Sequence, residues 1–454
     1  MSRLMVSISG IRGVVGESFT PRAVERFAYA FGRWARGDAE SATVVIGRDS
    51  RPSGPMVTAA ASAGLMAAGC EVIDVGLAPT PTIMLRVEHA GAAGGLAITA
   101  SHNPAPWNAL KLIGPRGMFL TPDEAAALFV LHDSLDADEM VPWNEVGSIR
   151  QDDGAIRDHI DRILALSCVN VAAIRDRHFR VALDCGRGAG GVITPTLLEE
   201  LGCEVIGIDL EADGQFSRNP EPVPENLGEL CRRVLEVGAD VGLAHDADVD
   251  RLAIVTEKGE AVGEECTLAL AVSHLLSTHR APVVTNLSTS SMVERLCARA
   301  GVPFERTSVG EIHVASRMRE LGSAIGGEGN GGVIVPELHF TRDAPAAAAV
   351  LLSLLAEREA SPSSLVEELP RLPMLKTKFD LAGAAPVDLA ERLGSVLPGA
   401  EVDLRDGVRL ARGDAWIHVR ASNTEPILRV IGEAGSEEEI RALADLAAAA
   451  AGGV

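Results

Sequence analysis

Three stretches of the chain place apolar runs and polar turns on one plan. The first is TVVIGRDSR from residue 43, a small-residue segment through LMAAG, then CEVIDVG. The second is RVALDCGRGAGG from residue 180, TPTLLEELG, then CEVIGIDL. The third is APVVTNLSTSS from residue 281, MVERLCARAG, then VPFERTSVG. Each reads as strand, polar loop, helix, glycine turn, strand. Gly69, Gly202 and Gly301 fall where the helix should end. β-branched runs alternating with helices predict parallel βαβ units, and the wide spacing of the repeats favours separate domains over one doubly wound sheet. The final part of the chain differs. Trp416 to Arg420 and Ile427 to Ile431 read as short strands, and an Ala-rich helix is expected from Ser436, which together predict a small α+β domain.

Composition narrows the function classes. The chain has 454 residues, too many for one core. Its formal net charge is −22, so nucleic acid and anionic membrane are not expected partners. Salt screens exposed charges beyond about 8 Å, so a local Arg/Lys cleft can still hold phosphate. The apolar stretch Ala344 to Ala356 is short of the roughly 20 residues a spanning helix needs, and MSRLMVSISGIRG has no secretory core. Seven scattered cysteines without a CxxC pair suggest a reduced setting. A cytoplasmic protein is expected.

In sheets of this kind ligands bind at the carboxyl ends of strands, so the loops there carry the candidate chemistry. ITASHNPAPWNALKLIG (98–114) puts Ser101, His102, Asn103 and Pro104 in a donor-rich turn. A serine needs activation, or a phosphate it already carries, to transfer a group, and His102 and Lys111 could move a proton or steady charge. HDADVDR (245–251) brings Asp246, Asp248 and Asp250 so close that a hard cation is the natural solution. An EF-hand is excluded by Arg251 at its glycine position and by a strand pattern following. GGEGNGG (326–332) offers Glu328 and Asn330 among glycines, a set suited to sugar hydroxyls. RASNTEPILR (420–429) clusters Arg420, Ser422, Asn423, Thr424 and Arg429 as an anion cradle. Gly186, Gly188 and Gly191 match G-x-G-x-x-G, so an NAD-dependent oxidoreductase competes. A packing turn is preferred, because that reading leaves the Ser101 and Asp246 loops without a purpose.

Taken together, these loops resemble the α-D-phosphohexomutase superfamily along the whole chain. Thr99 to Pro104 looks like its phosphoserine loop and Asp246 to Arg251 like its metal loop D-G-D-G-D-R. Gly327 to Gly331 stands for the sugar loop G-E-x-S-G, Arg420 to Pro426 for the phosphate loop R-x-S-N-T-E-P, and Ser9 to Gly13 for T-D-G-I-R-G. Asp213-Gly214 and Pro220-Glu221-Pro222 match a further segment. Ala247 and Val249 replace both metal-loop glycines, and Asn330 replaces the sugar-loop serine. Some relatives carry a His after a Gly in the third domain, whereas Gly310 here precedes Glu311, with His313 nearby.

The resemblance implies three similar mixed-sheet α/β domains and a small C-terminal α+β domain around a central cleft. The expected boundaries are 1–150, 151–256, 257–370 and 371–454. It implies interconversion of hexose 6- and 1-phosphates through phospho-Ser101 and a hexose 1,6-bisphosphate, with one Mg²⁺ per chain on Ser101, Asp246, Asp248 and Asp250. Arg12 and Arg251 would steady the transferring group, Lys111 would be the candidate general acid/base, and His102 would stand beside Ser101. Glucosamine phosphate is the expected substrate, with mannose or glucose phosphate the alternative. Another class, a non-catalytic sugar-phosphate sensor, fits poorly with loops this complete. A monomer or homodimer is expected.

Overall fold

The computed structural model describes residues 3–8, 10–39, 42–135, 140–380, 388–421 and 427–452. Among them lie four sheets. In the first, Ala42–Arg48 pairs in parallel with Cys70–Leu77 on one side and Gly94–Ile98 on the other. The helix Gly54–Ala67 makes the crossover. Val44, Val45 and Ile46 are completely buried, which explains the unbroken apolar run: elements cover both faces of such a strand. Trp107–Ile113 then adds on antiparallel beside Gly94–Ile98, so the sheet is mixed.

The other two repeats build the same way. Arg180–Asp184 lies between parallel Glu204–Ile208 and Val241–His245, and Leu252–Thr256 closes the edge antiparallel. Val283–Asn286 lies between Phe304–Thr307 and Ile325–Glu328, with Gly332–Ile334 antiparallel at the edge. Gly69, Gly202 and Gly301 have φ of +82°, +79° and +65°, the left-handed turn that ends each helix. The C-terminal sheet is wholly antiparallel, in the order Met374–Asp380, Ile427–Glu433, Ala415–Ala421, Val408–Arg412, Glu401–Asp403. The helix Glu437–Ala451 covers it, started by the Ser436 side chain accepting from the Glu439 N–H.

The apolar stretch from Ala344 forms the helix Ala344–Glu357, buried on every side through Ala356. A helix apolar all round belongs in a core. This one joins the second and third units, many of whose buried residues share one cluster with it. No helix of the described residues is long and apolar enough to cross a membrane. All seven cysteines are free thiols.

Candidate active site

Ser101 follows the strand Gly94–Ile98 in a left-handed turn, φ +49°. Its Oγ donates to Asp246 Oδ2 at 3.1 Å and lies 3.5 Å from His102 Nδ1. Burial, with Arg251 and other cations nearby, holds the His102 pKa well below the usual imidazole value. His102 therefore stands neutral beside the hydroxyl. Arg51, completely buried, sets the turn. It donates to the carbonyls of Ser101 and Asn103 at 2.7 Å each, of Pro104 at 2.9 Å and of Trp107 at 3.1 Å, while its Nε pairs with Asp49 at 3.0 Å. Thr99 bridges Asp49 and the Ser101 N–H.

Asp246, Asp248 and Asp250 follow the strand Val241–His245, with ligand oxygens within 4.8 Å of one another. Asp246 Oδ1 accepts the N–H of Asp250 and Arg251, which curls the loop. Lys111 Nζ lies 2.6 Å from Asp248 Oδ2 and 3.6 Å from Asp250 Oδ2. Burial works against ionising the triad. In Asp246 the neighbouring Asp250 and Asp248 add to that effect, and its pKa rises well above the carboxylate range. In Asp248, Lys111 and Thr80 overcome burial and bring the pKa below that range. Burial alone would lower Lys111, but Asp248 and Asp250 reverse this and raise it, so the amine stays protonated. Oδ1 of both Asp248 and Asp250 is buried without a hydrogen-bond partner. Clustered hard oxygens with unspent lone pairs fit a Mg²⁺-type cation.

His159, His339 and Asp343 form a second buried group. Both Nε2 atoms contact the same Asp343 Oδ2, at 2.7 and 2.8 Å. Tetrahedral ligands on about 2.0 Å bonds stand about 3.3 Å apart, so this trio is hydrogen-bonded rather than metal-binding.

Glu328 ends the strand Ile325–Glu328 and is buried. Its Oε1 accepts from Asn286 Nδ2 at 2.7 Å and the Gly310 N–H at 3.1 Å; its Oε2 accepts from Arg342 at 2.9 Å. Asn330 Oδ1 accepts the Gly332 N–H at 3.2 Å. Arg420 pairs with Asp406 at 2.8 Å, whose other oxygen accepts the Val309 N–H at 3.0 Å. That chain of contacts links Arg420 to Gly310 and Glu328. Arg429 lies opposite Arg420 in register, with Lys378 on its far side. Arg12 reaches Asn103 Oδ1 at 3.5 Å, and Arg251 pairs with Glu221 at 3.4 Å. Ser9, Ser422, Asn423 and Thr424 lie outside the described residues.

The dinucleotide reading is overturned. A Cβ on Gly191 would sit 1.8 Å from the Leu210 carbonyl oxygen, and one on Gly188 would sit 2.9 Å from Ala247 Cα. These glycines bring backbones together, as a packing turn does. Sequence reasoning missed Arg51, Thr80, Asn286 and Arg342. Arg51 stood in the strand-end loop of the first repeat, where chemistry is expected. Arg342 and Asp343 were a charged pair opening an otherwise apolar helix.

Comparison with known proteins agrees with this architecture. The chain matches the phosphoglucomutase/phosphomannomutase α/β/α domains I, II and III at residues 3–136, 157–259 and 264–372, and the C-terminal domain at 375–450. A "Phosphoglucomutase/phosphomannomutase" of Thermococcus kodakarensis is 39% identical over 446 residues, 96% of each chain. A "Probable phosphoglucosamine mutase" of Methanopyrus kandleri is 37% identical over 443 residues, 96% of this chain and 95% of that one. The crystal structure of a phosphoglucomutase/phosphomannomutase family protein from Burkholderia thailandensis superposes with a TM-score of 0.85 at 29% identity, covering 98% of both chains. With relatives matched end to end and all four domains in order, the chain belongs to the phosphoglucomutase/phosphomannomutase family of the α-D-phosphohexomutase superfamily.

Proposed function

We propose that this phosphohexomutase interconverts glucosamine 6-phosphate and glucosamine 1-phosphate through a phosphorylated Ser101. The observation that carries the mechanism is Ser101 Oγ at 3.1 Å from Asp246, inside a triad that also holds Lys111. Mg²⁺ held by Asp246, Asp248 and Asp250 would neutralise charge on the phosphoryl oxygens. Phosphoryl transfer depends on positioning and charge neutralisation more than on covalent chemistry. Lys111, 2.6 Å from Asp248 Oδ2, is placed to donate to the transferring group. Neutral His102 can take the proton of the attacking sugar hydroxyl or return it. Arg12 and Arg251 steady the phosphoryl group from the flanks. Glu328 and Asn330 accept from the sugar, while Arg420, Arg429 and the segment with Ser422, Asn423 and Thr424 grip the phosphate that is not reacting. A hexose 1,6-bisphosphate forms in the cleft, turns round, and returns its other phosphate to Ser101.

Glucosamine as the sugar is supported by the Methanopyrus kandleri relative's name. The Thermococcus kodakarensis relative favours glucose or mannose phosphate as the second reading. ³¹P NMR decides between them. The protein, Mg²⁺ and trace hexose 1,6-bisphosphate are offered glucosamine, mannose and glucose 6-phosphates separately. A 1-phosphate resonance growing fastest with glucosamine 6-phosphate is expected; faster conversion of either other sugar moves the assignment to it. Ser101→Ala should bind sugar phosphate yet turn over none, and an active Ser101→Ala protein removes the phosphoserine from the scheme.

A further inference from the structure

Arg342 is buried and reaches a helix start, a strand end and the aspartate loop at once. Its Nε donates to Glu311 Oε2 at 2.9 Å, Nη1 to Glu328 Oε2 at 2.9 Å, and Nη2 to Asp250 Oδ2 at 2.5 Å. Each guanidinium nitrogen therefore serves a different carboxylate. A planar fork of donors can do this, and a point ammonium cannot. Glu311 is itself held by the Thr341 hydroxyl and the Arg342 N–H. Thus the acidic residue after Gly310 grips Arg342 from behind.

The loop that carries Glu328 is shaped to admit this side chain. A Cβ on Gly332 would lie 2.1 Å from Arg342 Cδ. The arginine stem lies across that glycine, and its head joins Glu328 to Asp250. Charge enters separately from geometry. Asp246, Asp248 and Asp250 gather three carboxyl groups, and Lys111, Arg342 and Arg251, the last 3.7 Å from Asp250 Oδ1, place positive charges beside them. Each of these cations repels a divalent cation that approaches the triad.

We propose that Arg342 is a positioning residue for the mutase, coupling the sugar-side carboxylate Glu328 to the acidic triad through Asp250. The proposal rests on the reading of Glu328 as a sugar ligand. Lysine at 342 keeps the charge and loses the three-way bridge, whereas glutamine loses both. Gly332→Ala displaces the arginine without changing any charge.

The test uses the full-length wild type, Arg342→Lys, Arg342→Gln and Gly332→Ala. It reads KM and kcat for the hexose phosphate, Mn²⁺ affinity by electron paramagnetic resonance without sugar, and melting temperature. Arg342→Lys and Gly332→Ala should raise KM about tenfold, the worth of one charge-assisted hydrogen bond, with Mn²⁺ affinity within about twofold of wild type. Arg342→Gln should raise KM alike and bind Mn²⁺ about fivefold more tightly, since a repelling charge is gone. A wild-type KM in Arg342→Lys overturns the proposal. So does Mn²⁺ affinity that weakens in step with melting temperature, which marks a merely structural residue. Wild-type protein that converts no hexose phosphate refutes the functional reading instead, and the Mn²⁺ arm still judges Arg342.

Discussion

Two residues of the site hold strained backbone, Ser101 at φ +49° and Val249 at +67°. A β-branched residue there costs on the order of 1–3 kcal/mol, and the loop accepts this at a position where glycine would relieve it. The turn at Val249 lies between Asp248 and Asp250, so the strain is spent inside the triad. Gly329 shows the opposite case, a glycine required by space. A Cβ there would lie 1.9 Å from Glu265 Oε2, and Glu265 pairs with Lys376, which also donates to the Gly329 carbonyl at 2.9 Å. Gly329→Ala should cost about 1–3 kcal/mol by overpacking and raise KM by freeing the loop from Lys376. Gly228, with open space around it, is the control: Gly228→Ala should leave both unchanged. Thermal denaturation and initial rates measure the pair. Ser101 beside His102, and the clustering of the three aspartates, were legible as candidates in the sequence because these residues are near neighbours in it. Arg342 was not, since it meets Asp250 across 92 positions.

Among the elements, the loop after Gly94–Ile98 shows how a strand end becomes a rigid site. The strand ends, four carbonyls turn inward, and Arg51 from the neighbouring strand-end loop satisfies them. Parallel pairing of Ala42–Arg48 with Gly94–Ile98 puts both loops at the same sheet edge, the geometry expected for ligand sites in such sheets. Removing one partner of a buried ion pair costs about 3–5 kcal/mol. Arg51→Met should therefore lower the unfolding free energy by that much, read from urea denaturation. Arg51→Lys, which keeps the Asp49 pair, should fold while taking up less phosphate at Ser101 from hexose 1,6-bisphosphate, read by intact mass. Equal phosphate uptake in Arg51→Lys and wild type would show that the carbonyl grip does not set the turn.

Across the whole molecule, the C-terminal sheet is fastened to the third unit by polar contacts. Glu433 accepts from Ser290 and Ser291 of that unit and from Trp416. His418 bridges the Ser288 hydroxyl at 2.8 Å and the Asp406 carbonyl at 2.6 Å. Burial lowers the His418 pKa from 6.5 to about 4; Arg420 and Arg409 push the same way, while the hydrogen bond to the Asp406 carbonyl and the Asp406 charge oppose it. Its folded pKa lies below its unfolded one, so the unfolded chain binds more protons between the two values. Stability is full above 6.5 and falls as pH drops toward 4. At about 1.4 kcal/mol per unit the loss reaches about 3 kcal/mol. His418→Asn should remove that part of the acid sensitivity, seen as a shallower fall of the urea midpoint over this window. Identical acid profiles in wild type and variant would assign the sensitivity to other groups.

Residue order alone carries the repeated βαβ plan, the small terminal domain, and which loops hold serine, carboxylates and arginines. Those features rest on short-range periodicity and on neighbours in the chain, which physics reads locally. Tertiary structure alone decided that Arg51 holds the Ser101 turn, that Arg342 joins Glu328 to Asp250, and that the glycines at 188 and 191 pack backbone instead of binding a cofactor. Each of these depends on which strand ends share an edge and which side chains meet after burial. Such pairings form between distant positions, where no periodicity announces them and only close packing selects the partner.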